Sequence, residues 1–124
     1  AETSSRYLVF NEVGSYSFDV IMEGDEGEDP VTGALRELKE ETGAVPDTLL
    51  PLGVILPAPG CYGEKLHLFL AKNLHMEQQH LDPDEFLSVE RIPFAEMVHR
   101  VMDGEIEDAK TVTAVLKAKI LLNL

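Results

Sequence analysis

Residues 28–44, EDPVTGALRELKEETGA, decide how this chain folds and where its chemistry sits. Val31, Ala34, Leu35 and Leu38 recur at helical spacing, so the stretch predicts a helix over 30–42 with an apolar stripe turned to a core. Asp29 suits the N-cap. Pro30 suits the first helical position, where no backbone N–H is needed, and Gly43 suits the left-handed residue that ends a helix. Glu37, Glu40 and Glu41 then share one face. Like charges three or four residues apart cost a helix roughly 0.2–0.5 kcal/mol per pair, so such a cluster calls for a cation. Carboxylate oxygens suit hard ions, Mg2+ or Mn2+, which commonly bridge to substrate phosphates. Arg36 is placed to orient a carboxylate through a bidentate pair. The competing reading is a solvated acidic helix with ordinary surface ion pairs.

The same stretch resembles the Nudix family. The family signature is G-x5-E-x7-R-E-U-x-E-E-x-G-U, with U a bulky aliphatic residue; Glu28 and the run Arg36-Glu37-Leu38-Lys39-Glu40-Glu41-Thr42-Gly43 match it in register. Met22 stands where the signature has its first glycine, and Ala44 where it closes on a large aliphatic. A methionine at a position that needs positive φ would strain the loop or displace a ligand, with Gly24 a partial compensation.

The resemblance implies an α+β chain, an α/β/α sandwich around a mixed sheet, and metal-dependent hydrolysis of a nucleoside diphosphate linked to another moiety. Glu37 and Glu41 would be the main metal ligands, with Glu40 assisting and the Ile21 carbonyl a further ligand. Arg36 would lock the glutamates. The base would come from a later loop, Glu85 first, with Asp82 or Asp84 as substitutes, and Glu28, Gly60 and Glu64 would meet substrate. A surface ion pair of Glu64 with Lys65 or Lys39 is as good a reading of that residue. Residues 82–85 also read as a plain solvated turn, His67 as a packed strand histidine, and Cys61 as a thiol with nothing to activate it.

Two softer segments resemble the ADP-ribose pyrophosphatase branch: PAPGCYGEKLHLFLA at 57–71 and GEIEDAKTVTAVLKA at 104–118. They imply ADP-ribose or a related ADP-sugar as substrate. Hydrolysis of dinucleotides or nucleoside triphosphates, or a non-catalytic Nudix-fold assembly module, stand as alternatives. Enzymes of that branch carry further strands ahead of the matched region. The expectation is therefore a sheet short of N-terminal strands, either because the chain is a piece or because a second subunit completes it. A homodimer follows, its interface near residues 5–20 or in the 57–64 loop.

Composition agrees with one domain over 1–124. The chain has 44% hydrophobic and 27% charged residues and a net charge of −13. Residues 23–41 hold eight acids against Arg36 and Lys39, so nearly half the excess sits at the motif. Such a chain repels nucleic acid and membrane surfaces, and it repels a phosphate substrate unless a divalent ion intervenes. A single cysteine, no basic-then-apolar leader and no apolar run near membrane-spanning length point to a soluble cytoplasmic protein. Hydrophobic alternation predicts strands at 7–10, 16–21, 49–56, 65–71 and 86–91. Helices are expected at 93–103, stopped by Gly104, and at 109–122, with Val112, Val115, Leu116 and Ile120 turned inward.

Overall fold

The computed structural model describes residues 3–22, 29–56, 65–77 and 86–123. Five strands form one mixed sheet: β1 (Thr3–Phe10), β2 (Ser15–Met22), β3 (Ala44–Ile55), β4 (Leu66–Met76) and β5 (Phe86–Pro93). Their order is β3-β4-β2-β1-β5. All neighbours are antiparallel except β1 and β5, which run parallel with Leu8 beside Arg91 and Val9 beside Ile92. Helix α1 (Pro30–Thr42) follows β2, and α2 (Phe94–Met102) and α3 (Ala109–Leu121) follow β5.

Alternation along the strands splits the core between the two faces. Val9, Tyr16, Leu68, Leu70 and Ile92 point to one side, where they pack with Phe94, Met97 and Val101 of α2 and Ala114, Val115 and Ala118 of α3. Phe94 stands edge-on to Tyr16, with ring centroids 6.1 Å apart and planes at 77°. Burial there pushes the Tyr16 phenol pKa up. Phe69 and Ala71 point to the other side, against Ala34 and Leu38 of α1. One helix lies on one face and two on the other, which is the expected sandwich.

β1 and β2 are joined by a tight turn in which Asn11 Oδ1 accepts from the amides of Val13 and Gly14 at 2.8 and 3.1 Å. A Cβ on Gly14 would come within 2.5 Å of Asn73 Oδ1, so glycine there leaves room for the Asn73 side chain, which a larger residue would have to push aside. Asn73 itself has φ 56°. This left-handed residue breaks the alternation of β4, and Leu74 joins the α1 side, packing with Leu38, Ala44 and Ala71.

Several elements depart from the sequence expectation. β3 begins at Ala44 rather than 49, and β4 runs on to Met76 rather than stopping at Ala71. β1 reaches back to Thr3 and is paired on both edges. β1 pairs with β5 along its length and with β2 at Leu8–Phe10, and both β1 and β2 lie inside the strand order, so a dimer contact at 5–20 does not meet an outer strand of the sheet. Val31 and Leu35 are 44% and 38% exposed, and Ile120 is 81% exposed; none belongs to the buried stripe assigned to it.

Candidate active site on helix α1

Helix α1 is fixed at both ends by its own sequence. The Asp29 side chain accepts from the Thr32 amide at 3.3 Å, Pro30 opens the first turn, and Gly43 closes the last with φ 79°. The Gly43 amide donates to the Lys39 carbonyl at 2.8 Å, the bond that satisfies an otherwise orphaned carbonyl at a left-handed cap. The Thr42 hydroxyl donates to the Leu38 carbonyl at 2.7 Å. Just past the cap, Ala44 is fully buried against Leu38. A small residue in the last signature position lets β3 start directly under the helix.

With Ala34 and Leu38 seated on the sheet, the charged residues turn outward. Arg36 Nη1 lies 3.0 Å from Glu40 Oε2, and Arg36 Nη2 lies 3.7 Å from Glu37 Oε1. The guanidinium thus spans two carboxylates with one arm each, instead of gripping one in a bidentate pair. The effect is to offset the repulsion between Glu37 and Glu40. Glu40 is half-exposed, whereas Glu37 and Glu41 are partly buried. Glu37 and Glu41 are one turn apart, four residues, and so lie side by side on the helix.

Ile21 is the next-to-last residue of β2, in register with His67 of β4, and Met22 pairs with Leu66. Met22 is an extended strand residue. Among the described residues the only non-glycine positions with positive φ are Asn73 and Asn123, so the methionine in the signature's glycine position carries no backbone strain. Glu28, Gly60, Glu64, Asp82, Asp84 and Glu85 lie outside the described residues, and so does Cys61.

Among the described residues no group of three or more histidine, cysteine or acidic side chains is gathered closely enough to hold a metal. The donor set that is present still fits a hard divalent ion. Magnesium is typically held by one or two carboxylates, with water and substrate phosphates completing the shell, and not by a closed protein cage. Glu37 and Glu41 supply two such carboxylates, while Arg36 engages Glu40.

A second charge cluster escapes sequence reasoning. Arg100 of α2 meets Glu90 of β5 at 3.0 Å, Glu96 at 3.5 Å and Glu105 at 3.4 Å. The hydrogen bond that the guanidinium donates to Glu90 is the main reason its pKa is pushed still higher. Only the Glu96–Arg100 spacing of four residues is visible in sequence; Glu90 is brought in by the junction of β5 with α2, and Glu105 by the chain reversal around Asp103 and Gly104.

Residues 23–115 match the NUDIX domain family. Over 93 residues the chain is 38% identical to an ADP-ribose pyrophosphatase of Bacillus subtilis (strain 168), covering 73% of this chain and 50% of that protein. Over 89 residues it is 35% identical to a GDP-mannose pyrophosphatase of Yersinia enterocolitica, covering 68% and 46%. The chain spans about half the length of these relatives. In fold it is similar to a crystal structure described as an ADP compounds hydrolase, with a TM-score of 0.72 at 24% identity over 98% of this chain and 72% of that one. No described helix is long and apolar enough to cross a membrane. With the glutamate helix and its arginine inside the residues that match the family, the chain belongs to the Nudix family.

Proposed function

We propose that this chain hydrolyses a nucleoside diphosphate linked to another moiety, with ADP-ribose or a related ADP-sugar giving AMP and a sugar phosphate. The observation that carries the proposal is the pair Glu37 and Glu41, one turn apart on a helix whose third glutamate is engaged by Arg36. The 38% identity to an ADP-ribose pyrophosphatase supports the substrate class. Bound Mg2+ or Mn2+ would neutralise phosphoryl charge and bridge phosphate oxygens. In this reading Glu37 and Glu41 hold the ion, the Ile21 carbonyl adds to the shell, and Arg36 and Glu40 keep the carboxylates in place. Glu28, Gly60 and Glu64 face substrate. Residues 1–124 act as one domain in a cytoplasmic homodimer whose partner is a small nucleotide and neither nucleic acid nor membrane.

Glu85 is the proposed base, motivated by its place in the acidic, proline-containing segment 82–85. A general base contributes about 10²–10⁴-fold, so Glu85→Gln should lower kcat by that order with KM little changed. If Glu85→Gln keeps full kcat while Glu64→Gln abolishes it, the base belongs to the 57–64 segment instead. Substrate choice is tested by a panel of ADP-ribose, GDP-mannose, NADH, diadenosine polyphosphates and nucleoside triphosphates, with products identified. ADP-ribose should give the highest kcat/KM. A preference for triphosphates or dinucleotides would reassign the substrate, and no turnover on any member with Mg2+ or Mn2+ would leave a non-catalytic Nudix module.

A further inference from the structure

The face of the sheet that carries α1 also holds a shallow depression of about 190 Å³, lined by Leu8, Phe10, Ser15, Leu74, Met76 and Arg91 together with Val9, whose side chain packs on the opposite face. Leu74 is shared with the α1 packing cluster, so the depression adjoins the base of the glutamate helix. Ile92 packs on the opposite side of the sheet. Its neighbour Arg91 therefore points to the α1 side, beside Leu8, its partner in the β1–β5 ladder.

Three features give this hollow a defined chemistry. Its walls are apolar, and Phe10 and Met76 are each 47% exposed, leaving a ring face and a polarisable thioether for an aromatic guest. Its one charge is Arg91, an exposed guanidinium that makes no ion pair with the described residues, in a chain of net charge −13. Guanidinium groups recognise phosphate oxygens in a planar fork and also stack on rings. Finally, Ser15 Oγ accepts from the Leu74 amide at 2.9 Å, which leaves its own proton to donate. The volume is below the roughly 300–1,000 Å³ of a pocket for a whole drug-sized ligand, so it suits a single ring system.

We propose that Phe10 and Arg91 form a subsite for the nucleoside monophosphate part of the ligand, with the base against Phe10 and Met76 and an anionic oxygen on Arg91. The choice of a nucleotide over another aromatic anion rests on the proposed hydrolase function. Arg91 and Phe10 would then determine specificity without holding metal.

The test is calorimetric titration of the full chain with AMP in the absence of divalent metal, where no turnover intervenes. Arg91→Met should weaken AMP binding roughly ten- to a hundredfold, as expected for the loss of one charge-assisted hydrogen bond. Phe10→Ser should also weaken it, and adenosine and ribose 5-phosphate should each bind less tightly than AMP. Lys72→Met, which removes a cation elsewhere in β4, should leave the affinity unchanged. No AMP binding by the wild type, or equal binding by the wild type and Arg91→Met with both folded by circular dichroism, overturns the subsite. Arg91-dependent AMP binding in a chain that hydrolyses nothing would sustain the subsite and remove the hydrolase reading. Hydrolysis of ADP-ribose with KM and AMP affinity both indifferent to Arg91→Met would do the reverse.

Discussion

At the scale of single residues, the division of labour among the glutamates depends on Arg36. Its two arms reach Glu37 and Glu40 at 3.7 and 3.0 Å, yet all three side chains are at least a third exposed. Exposed ion pairs are worth about 0–1 kcal/mol. Arg36→Ala should therefore lower stability by less than about 1 kcal/mol while lowering turnover much more, because Glu37 and Glu40 lose the group that holds them apart. Thermal melts alongside initial rates check this; a large loss of stability with intact turnover would make Arg36 merely structural. The sequence pattern places Arg36 beside these carboxylates through helical spacing alone. It cannot say that one guanidinium serves two of them, because that depends on rotamers chosen once the helix is docked.

At the scale of elements, caps decide where helices begin. Asp108 opens α3: its Oδ2 accepts from the Thr111 amide at 3.2 Å and from the Thr111 hydroxyl at 2.6 Å, while Oδ1 meets Lys110 Nζ at 2.6 Å. Partial burial works to raise the Asp108 pKa, but the bonds from Lys110 and Thr111 outweigh it and hold the carboxyl below its usual range. A depressed carboxyl stabilises the fold above its unfolded pKa of about 3.9. That contribution is lost as pH falls through the lower, folded value. Asp108→Ala should cost about 0.5–2 kcal/mol near neutrality, and the gap from wild type should narrow in acid below about pH 4. A gap independent of pH in chemical denaturation would show that the charge plays no part.

Other features of the elements were less legible. Helical periodicity identifies which residues share a face, but not how much of that face a neighbour covers; hence Val31, Leu35 and Ile120 emerge exposed. On α3 Val115 is buried as the spacing predicts, with Val112 and Leu116 packed beside it, but the rest of the buried contact is made by Ala114 and Ala118, small residues that a pattern of large aliphatics passes over. The end of β4 was hidden for a different reason. Lys72 and Asn73 look like a strand terminus, yet Asn73 adopts φ 56° and the strand resumes with Leu74 on the α1 side.

At the scale of the whole molecule, the sheet order places β1 and β2 in the interior, with β3 and β5 at its edges. A homodimer formed by strand addition would use one of those edges, whereas one built on residues 5–20 would meet face to face. Light scattering at micromolar concentration should give the mass of two chains, and a fully active monomer would rule out the proposed assembly. The charge distribution points the same way as the site: an acidic chain of net −13 meets an anionic substrate only where a cation intervenes.

If Glu37 and Glu41 on α1 hold the divalent ion on which hydrolysis depends, turnover is tied to that ion and to both carboxylates. The most direct measurement is the rate of ADP-ribose hydrolysis as Mg2+ is titrated into the wild type and Glu41→Gln, with AMP and ribose 5-phosphate followed by phosphorus NMR. The wild type should show saturable Mg2+-dependent production of both. Glu41→Gln should fall by more than about 100-fold at saturating metal, because even groups that merely orient a ligand cost 10–100-fold when replaced. Metal-independent hydrolysis by the wild type, or a Glu41→Gln titration that overlays it, would contradict the claim.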